Sequence, residues 1–154
     1  MTEPTPQQIE EVTNLVKEMA RRYLLLENGI AGGLEDLSKP ELQVLELIAL
    51  YKADTVSKIA QVAQVPLSSA SWLANNLVEK EYLHRHTDPE DRRVQRLELA
   101  ERGAAVLSFL EDAFGGIAEQ ILQTATEDET KALVNLSRRL SGSLRMDTRP
   151  LVGG

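Results

Sequence analysis

The side chains of His84, His86 and Asp88 have the types and the spacing that could hold a metal ion. They alternate along a predicted strand, and alternate residues of a strand point to the same face. A cluster of three on an exposed strand lacks the outer partners that orient metal ligands, and an ordinary solvated strand explains the same residues. We therefore expect no metal ion here, and nothing else in the sequence indicates a cofactor.

Arginine side chains could bind anions, and four of them lie in the same region: Arg85, Arg92, Arg93 and Arg96. The chain has 17 Lys and Arg against 24 Asp and Glu, a formal net charge of −7, which argues against a protein that coats nucleic acid through bulk charge. The ends are acidic, with 3 basic and 7 acidic residues over 1–37, and 5 and 7 over 104–154. Residues 38–103 carry 9 basic and 10 acidic groups, so an anion-binding site is expected in this nearly neutral middle segment.

The sequence motifs of common catalytic sites are absent. There is no G-x-G-x-x-G, no phosphate-loop Gly-Lys pair and no H-E-x-x-H. The chain has no cysteine, which excludes disulfides and thiolate chemistry, and most carboxylates fall on helix-opening turns where capping explains them. We expect a binding protein and not an enzyme.

No part of the sequence has the pattern of a membrane or export segment. No run approaches the roughly 18 consecutive apolar residues that a membrane span needs. The first residues, Met1–Pro4, also lack a basic start followed by an apolar stretch. A cytoplasmic protein without a membrane partner is expected.

The elements outside the middle segment are predicted to be helices. Aromatic residues make up 4% of the chain, so the core must be built mainly from Leu, Ile, Val and Ala, which favours packed helices. Apolar spacings of three and four predict a first helix over about residues 6–28, ended by Gly29 and the glycines that follow. The same spacing resumes in the last third, where Gly115–Gly116 should loosen or bend one helix and Thr126–Glu129 forms a capping box that opens another. Residues 147–154 are expected to be a disordered tail.

Four elements are predicted in the middle segment from capping signals, proline and alternation: a helix opened by the capping box Ser38–Glu41, a short helix capped by Asp54 or Thr55, a helix opened by Pro66, and a hairpin of strands 82–87 and 94–99. The third of these helices has an outward face that is almost free of charge: Ser68, Ser69, Ser71, Trp72, Asn75 and Asn76. Asn can pair with adenine through two hydrogen bonds, and Ser can contact base edges or phosphate. For Trp72, partial burial against a dimer partner or the hairpin is an equally weighted alternative.

Two short helices followed by a hairpin form a winged helix-turn-helix. Residues 38–103 resemble the MarR (multiple antibiotic resistance regulator) family of bacterial transcription factors, most clearly in Asp91-x-Arg93-x-x-x-Leu97-x-Leu99-x-x-x-Gly103. The resemblance implies a mainly α fold with a small β-hairpin wing, in which residues 38–103 form the winged helix-turn-helix DNA-binding domain. The flanking helices, residues 1–37 plus 104–146, then make a dimer.

The resemblance also implies roles for single residues. Arg93 becomes the wing-tip arginine that enters the minor groove, and Asp91 orients it through an ion pair; the alternative is that the two residues only close the hairpin. Arg85, Arg92 and Arg96 are candidate phosphate contacts. The recognition helix departs from the family, because Trp72, Asn75 and Asn76 stand where Arg, Asp and Arg are frequent.

The function expected from these features is that of a homodimeric, sequence-specific DNA-binding transcriptional regulator, a repressor released by a small ligand. The alternative is a winged-helix dimer that binds another protein, as an anti-repressor or adaptor, with weak or no DNA binding. Family members often bind aromatic compounds between the dimer helices and the winged core. Residues that could line such a pocket, although ordinary core is the favoured interpretation, are Tyr23, Leu26, Leu42, Leu45 and Phe114.

Overall fold

The computed structural model describes residues 3–33 and 36–146. Within these ranges the elements are, in chain order, α1 (Pro6–Gly33), α2 (Lys39–Tyr51), α3 (Val56–Ala63), α4 (Leu67–Glu79), β1 (Leu83–Thr87), β2 (Gln95–Leu99), α5 (Glu101–Thr124) and α6 (Glu127–Met146). The predicted fold class, mainly helical with one β-hairpin, is confirmed. The tail predicted at 147–154 lies outside the described residues.

Helix α1 is longer than the sequence pattern predicts. The predicted end near residue 28 is wrong, because the helix continues through Gly29 and ends at Gly33, the last of the glycines predicted to end it. Ile30, directly after Gly29, is buried, and burying a side chain of this size contributes about 1.5–3 kcal/mol. That gain exceeds the cost of about 1 kcal/mol for a glycine inside a helix.

The helices of the winged core begin where their capping residues predict. The Ser38 backbone N–H donates to Glu41 Oε2 at 2.8 Å, and the Glu41 backbone N–H donates to Ser38 Oγ at 3.4 Å, so the predicted capping box of α2 is confirmed. Thr55, and not Asp54, caps α3 by accepting from the backbone N–H of Lys58 at 3.2 Å. Side chains from these elements and the hairpin form one core, its fully buried members including Leu42, Leu45, Ile59, Leu77, Tyr82 and Leu83.

The hairpin of residues 83–99, called the wing below, is antiparallel, with Leu83 opposite Leu99 and Thr87 opposite Gln95. Its tip is closed by the Asp88 carboxylate, which accepts the backbone N–H groups of Glu90 and Asp91 at 2.8 and 3.1 Å. The backbone N–H of Leu97 donates to the Asp54 carbonyl at 2.8 Å, which joins β2 to the turn before α3. The predicted hairpin is therefore confirmed, with each strand one residue shorter at its start.

The chain divides into two compact units, Met1–Ser108 and Phe109–Gly154. In the second unit, α5 is continuous through Gly115–Gly116, and the predicted capping box of α6 is confirmed by Thr126 and Glu129. Among residues 3–33 and 36–146, no helix is long and apolar enough to cross a membrane.

Candidate nucleic-acid interface

Helix α4 presents an uncharged polar surface. Ala70, Ala74 and Leu77 are completely buried, which turns the opposite side of the helix outward. Four of the six residues predicted to face outward are exposed, Ser68, Ser69, Trp72 and Asn75, and these are called the outward face of α4 below; Ser71 and Asn76 are half-buried. The exposed residues offer hydroxyl, amide and indole groups, which are chemically suited to the edges of bases.

Trp72 is the largest side chain on this face. It is 62% exposed in the single chain. With Pro40, Ser68, Ser69 and Leu73 it lines a shallow groove of about 390 Å³. An exposed indole beside this groove is available to a partner molecule.

A hydrogen bond joins the outward face of α4 to the wing. Arg85 Nη2, on β1, donates to Asn75 Oδ1 at 2.7 Å, and both side chains are exposed. The sequence predicts separate roles for these two residues, a base contact for Asn75 and a phosphate contact for Arg85. Their contact could not be found from spacing, because it depends on how the hairpin packs against the helix.

The wing tip carries the predicted ion pair. Arg93 Nε and Nη2 donate to the two oxygens of Asp91 at 3.2 and 3.4 Å, and the Arg93 backbone N–H donates to Asp91 Oδ1 at 3.0 Å. These hydrogen bonds, first the one from the Arg93 side chain, lower the pKa of Asp91 below its ordinary value. The Arg93 side chain is nevertheless 91% exposed, so the arginine is held in place and still reaches into solvent.

Arg96 is held between two carboxylates. Its Nε donates to Asp88 Oδ2 at 2.7 Å, and its Nη1 donates to Asp54 Oδ2 at 2.9 Å. The hydrogen bond from Arg96, with those from two backbone N–H groups, lowers the pKa of Asp88 to about 2. Arg96 therefore anchors the wing to the turn before α3, and a phosphate would have to compete with two carboxylates for it. Arg92, by contrast, is exposed and pairs with no carboxylate in the part of the chain that the structure describes.

The histidines of β1 do not assemble with Asp88 into a ligand set. Both are exposed, His86 Nδ1 lies 3.9 Å from Glu98 Oε2, and Asp88 is engaged by Arg96. Across residues 3–33 and 36–146, no group of three or more His, Asp or Glu side chains is placed to hold a metal ion.

The candidate pocket residues occupy different environments. Leu42 and Leu45 are completely buried, as the interpretation of ordinary core requires. Tyr23 and Leu26 are half-buried, and the Tyr23 hydroxyl donates to Glu46 Oε2 at 2.8 Å. Phe114 belongs to the second unit, where 38% of it is exposed.

A polar network that sequence analysis missed supports the winged core. Arg102 Nη1 donates to Asp36 Oδ2 at 2.8 Å, and Arg102 Cζ lies 4.3 Å from the centre of the Tyr82 ring. The Tyr82 hydroxyl donates to Asp36 Oδ1 at 2.9 Å. Lys80 Nζ donates to the Asp36 carbonyl and, at 2.7 Å, to Oε1 of the buried Glu41. Burial opposes ionisation of Glu41, but the hydrogen bonds from Lys80 and from the capping residue outweigh it, and its pKa is lowered. The sequence indicated only one member of this network, Glu41, and it indicated Glu41 as a partner of Ser38 in the capping box and not as a partner of Lys80.

A winged helix-turn-helix with an exposed, oriented arginine at the wing tip is an architecture that many transcriptional regulators share. Residues 35–94 match the model of the MarR family. A curated relative, the uncharacterized HTH-type transcriptional regulator YpoP of Bacillus subtilis, is 26% identical over 106 residues, which cover 69% of this chain and 75% of YpoP.

Solved structures with the same fold include a MarR family protein from Bacillus stearothermophilus, with a TM-score of 0.71 and 16% identity over 93% of this chain and 99% of that one. Another is FabT of Streptococcus pneumoniae, solved in complex with DNA, with a TM-score of 0.68 and 22% identity over 89% and 97% of the two chains. The winged core of this chain is therefore similar in sequence to the MarR family, and the fold is similar to that of a solved MarR family protein.

Proposed function

We propose that this protein is a MarR-family transcriptional regulator, a homodimer that binds a specific duplex DNA sequence with α4 in the major groove and the wing along the backbone. The observation that carries the proposal is the Asp91–Arg93 ion pair, which holds a 91% exposed guanidinium at the wing tip. A narrow minor groove concentrates negative potential, and an arginine already oriented by a carboxylate loses less side-chain entropy when it enters. FabT, which has the same fold, was solved with DNA.

The DNA-facing residues divide into two groups. Arg85, Arg92 and Arg93 are exposed cations that would contact the backbone and the minor groove. The outward face of α4, together with the half-buried Ser71 and Asn76, would read the major groove. Arg96 is left out of the first group, because its two carboxylate partners already engage it.

The dimer is proposed from exposed apolar residues. Helix α1 leaves several large side chains between 47% and 60% exposed, which is more apolar surface than a helix of a monomeric protein normally presents to water. These residues are Ile9, Val12, Leu15, Val16, Met19, Leu24 and Leu25. Leu133, Leu136 and Leu140 are exposed on α6 as well. Residues 1–37 plus 104–146 would thus form the dimer, and residues 38–103 the DNA-binding domain.

We further propose that the protein represses transcription and that a small aromatic molecule relieves this repression. A protein that acts on bacterial DNA would be cytoplasmic. Of the five candidate pocket residues, Tyr23 and Leu26 are half-buried and could contact such a molecule. Their role is tested by adding phenolic compounds to the protein–DNA complex. Release of DNA by wild type but not by Tyr23→Phe is expected if the hydroxyl takes part.

A protein-binding dimer is the second candidate. The net charge of −7 and the uncharged outward face of α4 favour it, because both weaken the attraction to phosphate. In that case the exposed Trp72 would be an anchor for another protein, since tryptophan is enriched among the residues that dominate interfaces.

The deciding experiment is selection of bound fragments from random duplex DNA with the full-length protein. We expect an enriched pseudo-palindrome whose half-sites lie about one helical turn, roughly 10 base pairs, apart. Arg93→Ala serves as the matched variant and should recover much less DNA. A flat result with wild type would contradict DNA binding and favour the protein-binding candidate.

A further inference from the structure

We propose that Trp72 and Asn75 together read one thymine in each half-site, and that Arg85 is the positioning residue that gives Asn75 this preference. The inference rests on the proposed DNA binding and names the base that the outward face of α4 recognises.

The contact with Arg85 sets the orientation of the Asn75 amide. A guanidinium has only donor groups, so the oxygen of the amide must face Arg85, as the 2.7 Å contact shows. The Nδ2 group then keeps both hydrogens for another partner. The side chain therefore approaches a base as a donor, beside a positive charge.

The Asn75 donor suits some base edges in the major groove better than others. Adenine pairs with Asn by accepting at N7 and donating from N6, and that N6 donor would have to approach an oxygen already held by a cation. Thymine O4 and guanine O6 and N7 are acceptors, which suit both the amide hydrogens and the nearby guanidinium. Asn75 is therefore expected to prefer thymine or guanine over adenine.

Trp72 lies beside Asn75 and favours thymine over guanine. Residues three apart on a helix are surface neighbours, so Trp72 and Asn75 lie side by side on the outward face of α4. The indole is 62% exposed and has an apolar surface. Thymine carries its acceptor O4 next to the C5 methyl group, so one base supplies the amide and the indole together. Guanine has no such methyl group.

The experiment replaces thymine by deoxyuridine, which removes the methyl group and keeps base pairing. The probe is the duplex selected by the wild-type protein, with thymines substituted one position at a time in both half-sites. Burial of one methyl group corresponds to about fourfold in affinity. We therefore expect that deoxyuridine at one position of the half-site lowers the affinity of the protein for the duplex about fourfold per half-site, and that the other positions have no such effect. The same substitution should leave the affinity of Trp72→Ala unchanged.

The positioning role of Arg85 is tested by repeating the selection with Arg85→Ala and with Arg92→Ala as the matched control. Both variants remove an exposed arginine of the wing and should bind all duplexes more weakly. Only Arg85→Ala releases the Asn75 oxygen, so only this variant should gain adenine at the position of the critical thymine. Thermal melts of both variants verify that they fold.

Two results would overturn the inference while the proposed DNA binding stands. One is a selected duplex in which deoxyuridine at every position binds as tightly as thymine. The other is a base preference that is the same in Arg85→Ala and Arg92→Ala. A wild-type selection without any enriched duplex refutes the proposed function itself, and the thymine inference is refuted with it.

Discussion

Replacing Gly103 by alanine should destabilise the protein although the backbone at this position is an ordinary helix. Gly103 is buried in the first turn of α5, and no glycine in the described ranges has a positive φ, so the position requires space and not conformational freedom. An added Cβ would lie 2.3 Å from the Tyr82 carbonyl oxygen and 3.3 Å from its carbon. Ordinary contacts begin at 3.4 Å, so the backbone must move by about 1 Å.

The loss of stability can be estimated from the contacts that a backbone shift of about 1 Å near Tyr82 would disturb. The same Tyr82 oxygen accepts the backbone N–H of Ala100 at 3.0 Å, and a shift of this size would break the bond. Overpacking costs about 1–3 kcal/mol and a lost hydrogen bond about 1 kcal/mol, while the higher helix propensity of alanine returns about 1 kcal/mol. The free energy of unfolding should fall by about 2 kcal/mol, which corresponds to a Tm lower by about 4–8 °C.

The assay is urea unfolding followed by far-ultraviolet circular dichroism at several protein concentrations, because the proposed dimerisation would make stability depend on concentration. Gly29→Ala is the matched control, since Gly29 lies in a helix and an added Cβ meets nothing within 4 Å. It should raise stability by about 0.5–1 kcal/mol. If Gly103→Ala is as stable as Gly29→Ala, the close approach of α5 to Tyr82 is not a feature of the folded protein.

Four further predictions follow from the same structure. Arg93→Ala should weaken binding to selected and random DNA alike and reduce the log-log salt slope by about two, one for each protomer of the proposed dimer, measured by titration at several salt concentrations; an unchanged slope would exclude the wing contact. Glu41→Gln should lower the free energy of unfolding by about 1.5–3 kcal/mol, because it removes the negative charge that faces Lys80 Nζ at 2.7 Å; an unchanged stability in urea titration would contradict this. Asp88, whose pKa is lowered to about 2, should contribute its full stabilisation above the ordinary value near 3.8 and lose it as pH falls through about 2. Melting curves of wild type and Asp88→Asn should therefore converge at low pH. Light scattering at micromolar concentration should give twice the mass of 17.1 kDa, and the monomer mass would contradict the dimer.

The sequence by itself determined the type and order of the elements. The capping boxes at Ser38–Glu41 and Thr126–Glu129, and the turn-forming residues between the strands, act over three to six residues. Their hydrogen bonds form within one turn of helix or one hairpin, so local spacing is enough to predict them. The Asp91–Arg93 pair belongs to the same group, because the two residues are only two positions apart and both lie at the wing tip.

Only the tertiary structure decided which side chains engage each other over long separations. Arg102 meets Asp36 across 66 positions, and Arg96 meets Asp54 across 42. Sequence spacing carries no information about such contacts, which is why Arg96 was predicted to bind phosphate and is found between two carboxylates. The Arg85–Asn75 bond is of the same kind, because packing of β1 against α4 brings the two residues together. Gly103 shows both aspects at once: its place in the motif was visible in the sequence, but the reason for it, a carbonyl 2.3 Å from an added Cβ, exists only in the packed fold.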